Sequence, residues 1–104
     1  MEPVQSKAEV IARLQGQREQ LRALGVARLG LFGSFVRDEA GPASDVDLLA
    51  ELGDQALTLN GYFAVVDFLE GLLGRSVEVL TPTGLSRHIG PHILREVADV
   101  PLAA

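Results

Sequence analysis

The segment GSFVRDEAGPASDVDLL, from Gly33 to Leu49, contains the residues from which both the fold and the chemistry of this chain are argued. It begins with a Gly-Ser pair, continues through a Gly-Pro loop and ends with two aspartates, Asp45 and Asp47, beside the apolar residue Leu48. An ionised carboxylate is costly to bury among apolar side chains unless a cation or hydrogen-bond donors compensate its charge. The two aspartates therefore need a partner at the start of this apolar run.

Outward from this segment, hydrophobic periodicity predicts alternating helices and strands. A capping-box pattern at Ser6 and Glu9 marks the first helix, and short apolar runs bounded by turn residues are typical of buried strands. The predicted elements, in chain order, are a helix over 7–24, a strand over 26–32, a short helix over 34–37, a strand over 45–52, a helix over 62–73, a strand over 76–80 and a helical region over 85–97 interrupted at Gly90-Pro91. This order predicts one α/β (α+β) domain over residues 1–104, with a small mixed three-stranded sheet and about four helices.

The composition argues against several classes of protein. Hydrophobic residues make up 47% of the chain and charged residues 22%, so the chain can form one core and is not disordered by composition. The net charge of −5 argues against a long nucleic acid as partner. The chain has no cysteines, which excludes disulfides and thiolate metal sites. No apolar run reaches the ~18 residues of a membrane span and no signal-peptide pattern is present, so we expect a cytoplasmic protein without a membrane partner.

The acidic residues are predicted to converge on one face of the sheet. Residues i and i+2 of a strand point to the same face, so Asp45 and Asp47 project together. Glu78, on the third predicted strand, joins them if that strand lies beside the second. Carboxylates this close repel one another, and a proton or a cation must relieve the repulsion. An oxygen-only cluster suits Mg²⁺, which binds carboxylates and keeps its other positions for water and substrate phosphates.

The Gly-Ser turn supplies the complementary half of this candidate site. Gly33 allows the backbone to approach a bulky anion, and the free N–H groups that follow, with the Ser34 hydroxyl, favour a phosphate. Arg37 lies one helical turn later, and two interpretations stay open for it: a bidentate contact with the phosphate, or a surface ion pair with the neighbours of Asp38. A phosphate-binding turn opposite a divalent-metal site is typical of enzymes that catalyse phosphoryl or nucleotidyl transfer. Arg75, by contrast, is interpreted as part of a solvated basic face.

Two motifs resemble a known family. Gly33-Ser34, followed after ten residues by Asp45-x-Asp47, resembles the signature of the DNA polymerase β-like nucleotidyltransferases. GRSVEVLTP, residues 74–82, is similar to the minimal nucleotidyltransferase branch of that superfamily. The resemblance extends from the first predicted strand to the last helix and implies the polymerase β-like nucleotidyltransferase fold. The Gly-Ser pair or the Asp pair alone would be weak evidence, since each occurs in ordinary turns and strand starts.

The resemblance implies a role for each matched residue. Asp45, Asp47 and Glu78 would hold two Mg²⁺ ions, and Glu78 would also be the candidate base for the attacking hydroxyl. Gly33 and Ser34 would hold the nucleoside triphosphate. Many members of the family have Asp where this chain has Glu78, whose longer side chain could still reach a metal ion.

The resemblance also implies a reaction and a partner. Minimal nucleotidyltransferases similar to this chain are often antitoxins of HEPN-type ribonuclease toxins. We therefore expect transfer of AMP from ATP, or of another nucleotide from its triphosphate, to a tyrosine hydroxyl of such a toxin. Two alternatives stay open: a non-catalytic module that neutralises a partner protein by complex formation, and nucleotidyl transfer to a small molecule. A homo-oligomer also stays open.

Overall fold

The computed structural model describes residues 2–82 and 90–102 of the chain. Its helices are α1 Lys7–Gly16, α2 Arg18–Ala23, α3 Leu59–Leu73 and α4 Gly90–Glu96. Its strands are β1 Val26–Phe32, β2 Val46–Leu52, β3 Val77–Leu80 and β4 Ala98–Val100, and 3-10 turns span Gly33–Phe35 and Asp54–Ala56. None of the helices in the described ranges is long and apolar enough to cross a membrane.

The strands form one mixed sheet in the order β3-β2-β1-β4. β1 runs antiparallel to β2 and β4, whereas β2 and β3 are parallel, with α3 as the crossover between them. The predicted α+β class and mixed sheet are confirmed, but the predicted count of three strands is wrong. The additional strand, β4, has only three residues, which is too short for a sequence pattern, and it is extended because it pairs with the edge of β1.

The first predicted helix, over 7–24, is wrong as a single element, because the chain forms α1 and α2 with a break at Gln17. The start agrees with the capping pattern: Ser6 Oγ accepts a hydrogen bond from the Glu9 N–H at 3.2 Å. Gln17 leaves helical geometry, with φ −118° and ψ 25°, directly after Gly16, a residue of low helix propensity. The break lets both helices bury side chains in the same core.

The core contains buried side chains of α1, α2 and α3 together with those of one sheet face. Alternate residues of the two central strands point into it, as period-two geometry requires: Leu29, Leu31, Val46, Leu48 and Ala50. Their neighbours in the strands point to the opposite face, and Asp47 is among these. α3 ends at Gly74 in the left-handed conformation (φ 69°), as predicted, and the chain then enters β3 beside β2.

Two other predicted helices differ in extent from the observed ones. Of the region predicted over 85–97, residues 85–89 lie outside the described residues. Pro91 occupies the first turn of α4, where its missing N–H removes no helical hydrogen bond. The predicted short helix over 34–37 is instead a 3-10 turn that ends at Phe35, after which Asp38 takes a left-handed φ of 54°.

Candidate active site

Asp47 and Glu78 lie side by side on neighbouring parallel strands. The β2–β3 register pairs Asp47 with Glu78, and the charge of Glu78 acts on the Asp47 carboxyl group. Asp45 precedes β2 by one residue, and its charge also acts on Asp47. Asp45 and Glu78 are exposed, whereas Asp47 is half-buried. The structure therefore brings the three predicted carboxylates to one end of the β2–β3 pair.

The surroundings of Asp47 disfavour its ionised form. Burial raises the pKa of Asp47 to about 6, and the negative charge of Glu78 and a hydrogen bond with Glu78 act in the same direction. Asp45 and Glu96 make smaller contributions of the same sign. Because neighbouring carboxylates repel one another, either protonation of Asp47 or a bound cation stabilises this cluster.

Gly33 contacts the Asp47 carboxylate from the neighbouring strand. The β1–β2 register pairs Phe32 with Asp47, so Gly33 is the first residue beyond this pair. A Cβ atom added to Gly33 would clash with Asp47 Oδ2. The backbone φ of Gly33 is +77°, a value that residues with a side chain rarely adopt. Ser34 follows in the 3-10 turn, half-buried, with its carbonyl accepting the Glu39 N–H at 2.9 Å. The Gly-Ser turn and the acidic cluster are therefore in direct contact.

The Gly-Ser turn is held by Glu96, the last residue of α4. Glu96 Oε2 accepts a hydrogen bond from the Gly33 N–H at 3.1 Å, and Glu96 Oε1 pairs with Arg37 Nη1. Arg37 Nε donates to Glu39 at 3.2 Å. The hydrogen bonds with Glu96 and, after it, Glu39 raise the pKa of the Arg37 guanidinium. The Gly33 N–H, which was predicted to face phosphate, and two Arg37 donors therefore have carboxylate partners in this structure.

Arg75, interpreted from the sequence as solvated, instead ties the loop before Asp45 to the rest of the site. Its guanidinium lies 5.0 Å from the centroid of the Phe35 ring, in the 3-10 turn that carries Ser34. It donates hydrogen bonds to four backbone carbonyls, at 2.6 to 3.2 Å, those of Val4, Gly41, Pro42 and Ser44. No local pattern identifies this role, because the carbonyls come from distant parts of the chain.

The donor set suits a hard divalent cation. Within residues 2–82 and 90–102, no three or more Asp, Glu, His or Cys side chains are already grouped so as to hold a metal ion by themselves. Mg²⁺ is usually bound by one or two carboxylates together with water and substrate phosphates, rather than by a complete protein cage. Asp47 and Glu78 are two such carboxylates, at paired positions of neighbouring strands. The residues present therefore fit a metal ion that arrives with a triphosphate.

Comparisons with known proteins identify relatives of this chain both by sequence and by structure. A family model described as nucleotidyltransferase domain matches residues 14–99. The protein adenylyltransferase MntA of Thermococcus cleftensis is 36% identical over 93 residues, which are 88% of this chain and 93% of the relative. A solved structure, provisionally described as a minimal nucleotidyltransferase, has a TM-score of 0.76 at 31% identity and covers 89% of this chain and 94% of its own.

A more distant solved structure shares the fold. It is a complex of a tri-AMPylated HEPN toxin from Shewanella oneidensis with an MNT antitoxin, and the matching chain has a TM-score of 0.56 at 15% identity. The match covers 84% of this chain and 71% of that one. At this level of identity the likeness concerns the fold alone.

Proposed function

The chain belongs to the nucleotidyltransferase domain family, and on that premise we propose that it transfers AMP from ATP to a tyrosine hydroxyl of a HEPN-type toxin, as the antitoxin of the pair. The family predicted from the sequence is confirmed, and the chain is a nucleotidyltransferase. One observation carries the proposal: Asp47 and Glu78 are paired positions on the neighbouring strands β2 and β3, and the Gly33 turn lies directly against the Asp47 carboxylate. This arrangement supports binding of a cation together with an anionic phosphate chain.

We assign the binding roles as follows. Asp45, Asp47 and Glu78 would hold Mg²⁺, two ions in the proposed complex, and Gly33 and Ser34 would hold the triphosphate of ATP. When bound, Mg²⁺ offsets the negative charge that develops in the in-line displacement. Asp47 and Glu78 alternate along β2 and β3 with the buried residues Val46, Leu48 and Val79, so they lie on the sheet face opposite the core.

Arg37 is proposed to add positive charge to the triphosphate site. A guanidinium has five N–H donors, and the contacts with Glu39 and Glu96 use Nε and Nη1. The donors on Nη2 remain for a phosphate oxygen. The two carboxylates therefore orient Arg37 without occupying all of its hydrogen-bonding capacity.

The transfer step is proposed to use Glu78 as the base. The acceptor oxygen forms a bond to the α-phosphorus while the bond between the α-phosphorus and the oxygen bridging to the β-phosphorus breaks. The electron pair of that bond leaves with pyrophosphate, and the proton of the hydroxyl goes to the Glu78 carboxylate. Glu78 is exposed whereas Asp47 is half-buried, which supports Glu78 rather than Asp47 as the group that meets an incoming acceptor.

The acceptor assignment draws on two similarities. The MntA relative, which matches 88% of this chain, is a protein adenylyltransferase. The distant structural neighbour belongs to a complex of a tri-AMPylated HEPN toxin with an MNT antitoxin, which is an analogy at the level of fold. The net charge of −5 also suits a protein partner better than RNA. We propose a cytoplasmic location, where ATP and a toxin made in the same cell are both available.

The proposal is tested by incubating the protein and its candidate toxin with ATP labelled on the α-phosphate and Mg²⁺. We expect label on the toxin, and we expect it to disappear when the acceptor tyrosine is changed to phenylalanine. Asp45→Asn/Asp47→Asn should lower transfer by about a hundredfold or more, since it removes the metal-binding charge. The matched control Asp54→Asn/Asp67→Asn removes the same charge from exposed positions elsewhere and should transfer AMP at the parental rate.

The same experiment tests the two alternatives. Tight complex formation without label, unchanged in Asp45→Asn/Asp47→Asn, would contradict the enzyme proposal and support a non-catalytic binding module. Label that appears only on an added small-molecule hydroxyl would instead identify a small-molecule acceptor.

A further inference from the structure

Glu96 lies opposite Gly33 because of the register between β1 and β4. That ladder pairs Leu31 with Ala98, and continuing it by two residues along each strand sets Gly33 against Glu96. The paired residues end at Leu31 and Ala98, and beyond them the Glu96 side chain accepts the Gly33 N–H at 3.1 Å. The position of Glu96 thus follows from β4, the strand that the sequence does not predict.

The two oxygens of the Glu96 carboxylate serve two different parts of the site. Oε2 accepts from the Gly33 backbone, and Oε1 pairs with Arg37. The Glu96 side chain is 25% exposed, compared with 66% for Glu39, the other carboxylate on Arg37. Solvent screens the ion pair between Arg37 and Glu39 more strongly. Glu96 is therefore the carboxylate that fixes Arg37 relative to the Gly33-Ser34 turn.

The turn held by Glu96 determines the space available to Asp47. Gly33 is so close to Asp47 that a single added carbon would lie 2.1 Å from Oδ2. A hydrogen bond from the Gly33 N–H fixes the plane of the Phe32–Gly33 peptide. Any rotation of that peptide would therefore move the turn relative to the Asp47 carboxylate.

We propose that Glu96 is a positioning residue for nucleotidyl transfer: it fixes the Gly33-Ser34 turn relative to Asp47 and orients Arg37 beside the same turn. The inference rests on the proposed function. Glu96 acts through Gly33 and Arg37 and binds neither substrate nor metal in this scheme. Its effect is to hold the triphosphate-binding groups at the spacing that an in-line displacement requires, without rearrangement during the reaction.

The test compares Glu96→Gln with the parent. Gln has a similar size but replaces one of the two acceptor oxygens with an NH₂ donor, so either Gly33 or Arg37 loses the oxygen that accepts from it in the parent. We expect kcat for AMP transfer to fall by about tenfold or more while the KM for MgATP changes by less than about threefold. We also expect faster hydrogen exchange at the Gly33 amide, with the β2 amides still protected.

Two further variants make the test specific. Glu96→Asp keeps both acceptor oxygens on a shorter side chain and should give an intermediate kcat, which separates the role of the carboxylate from a loss of folding. Glu51→Gln removes an exposed carboxylate that pairs with Arg28 and has no contact with Gly33 or Arg37 in the structure, and it should retain the parental kcat within about twofold.

A parental kcat together with a protected Gly33 amide in Glu96→Gln would overturn the proposal. Tighter MgATP binding with faster transfer would also overturn it, since Glu96 would then be competing with phosphate for the turn. If the parent itself transfers no AMP to the toxin, the proposed function fails. In that case Gly33 amide exchange and MgATP binding in Glu96→Gln still decide whether Glu96 holds the turn.

Discussion

At the scale of one residue, the ionised Asp47 carboxylate lowers the free energy of unfolding of the protein. Its side chain is half-buried beside Glu78, and burial first, then the charge of Glu78, raises the pKa of Asp47 to about 6. In the unfolded chain an aspartate has a pKa of about 3.9. At a pH between these two pKa values, the folded state still binds the Asp47 proton, whereas the unfolded state has released it. The free energy of unfolding therefore falls as the pH rises through this range.

We predict that Asp47→Asn, which resembles the protonated form, stabilises the metal-free protein at neutral and higher pH. Below about pH 4 both states of the parent are protonated and the advantage should vanish. Above about pH 6 the variant should be more stable by about 1 kcal/mol, after discounting for the solvent that screens this half-exposed group. Urea unfolding in EDTA at the two pH values measures this difference.

Asp67→Asn, at an exposed position on α3, is the control for the loss of one charge. Equal stability differences for Asp47→Asn at low and high pH would contradict the assigned environment of Asp47. Destabilisation at high pH would contradict it more strongly, because it would mean that the ionised carboxylate is compensated within the protein.

At the scale of elements, Arg75 joins parts of the chain that have no regular secondary structure. It follows the glycine that ends α3 and donates to the carbonyls of the Gly41, Pro42 and Ser44 loop, which leads to Asp45. Two of these hydrogen bonds are partly withdrawn from water, and a guanidinium has enough planar donors for several carbonyls at once. The loop therefore derives its conformation from a residue that lies about thirty positions later in the chain.

We predict that Arg75→Met, which keeps the apolar stem and removes the donors, destabilises the protein by about 2–4 kcal/mol. This is less than the full contribution of four hydrogen bonds from a charged donor, at about 1.5–3 kcal/mol each, because the carbonyls are only partly buried and water replaces some of the lost donors. Arg75→Lys should be intermediate because an ammonium lacks the planar fork. Urea unfolding measures the loss, and proteolysis near Gly41 should become faster.

Arg28→Met is the matched control: Arg28 is 70% exposed, and loss of its ion pairs should change stability by less than about 1 kcal/mol. Equal effects of Arg75→Met and Arg28→Met would contradict the structural role of Arg75.

At the scale of the whole molecule, the site joins β1, β2, β3 and α4, so ligand binding should stabilise the fold as a unit. We predict that MgATP at about a hundred times its Kd raises the Tm by about 10 °C or more, because binding to the folded state alone contributes about 2.7 kcal/mol. Asp45→Asn/Asp47→Asn should show no such shift, while Asp54→Asn/Asp67→Asn should match the parent. Thermal unfolding with and without MgATP gives the comparison, and equal shifts in all three proteins would contradict metal and nucleotide binding by the aspartates.

The sequence alone was sufficient for features that depend on neighbouring residues. Period-two alternation put Asp47 on the face opposite Val46 and Leu48, and glycines marked the turn at Gly33 and the end of α3 at Gly74. It was insufficient where a long element had to break, as at Gln17, because helical periodicity continued across the break and only packing against the sheet favours two helices.

What the sequence determined by itself was the order of β1, β2, α3 and β3, the face of β2 that carries Asp47 and the glycine turn beside it. Only the tertiary structure decided that Glu78 pairs with Asp47, that Arg75 holds the loop before Asp45 and that Glu96 reaches Gly33. The physical reason is range: backbone preference and side-chain alternation are local, whereas strand pairing and shared hydrogen bonds join residues that are distant in the chain.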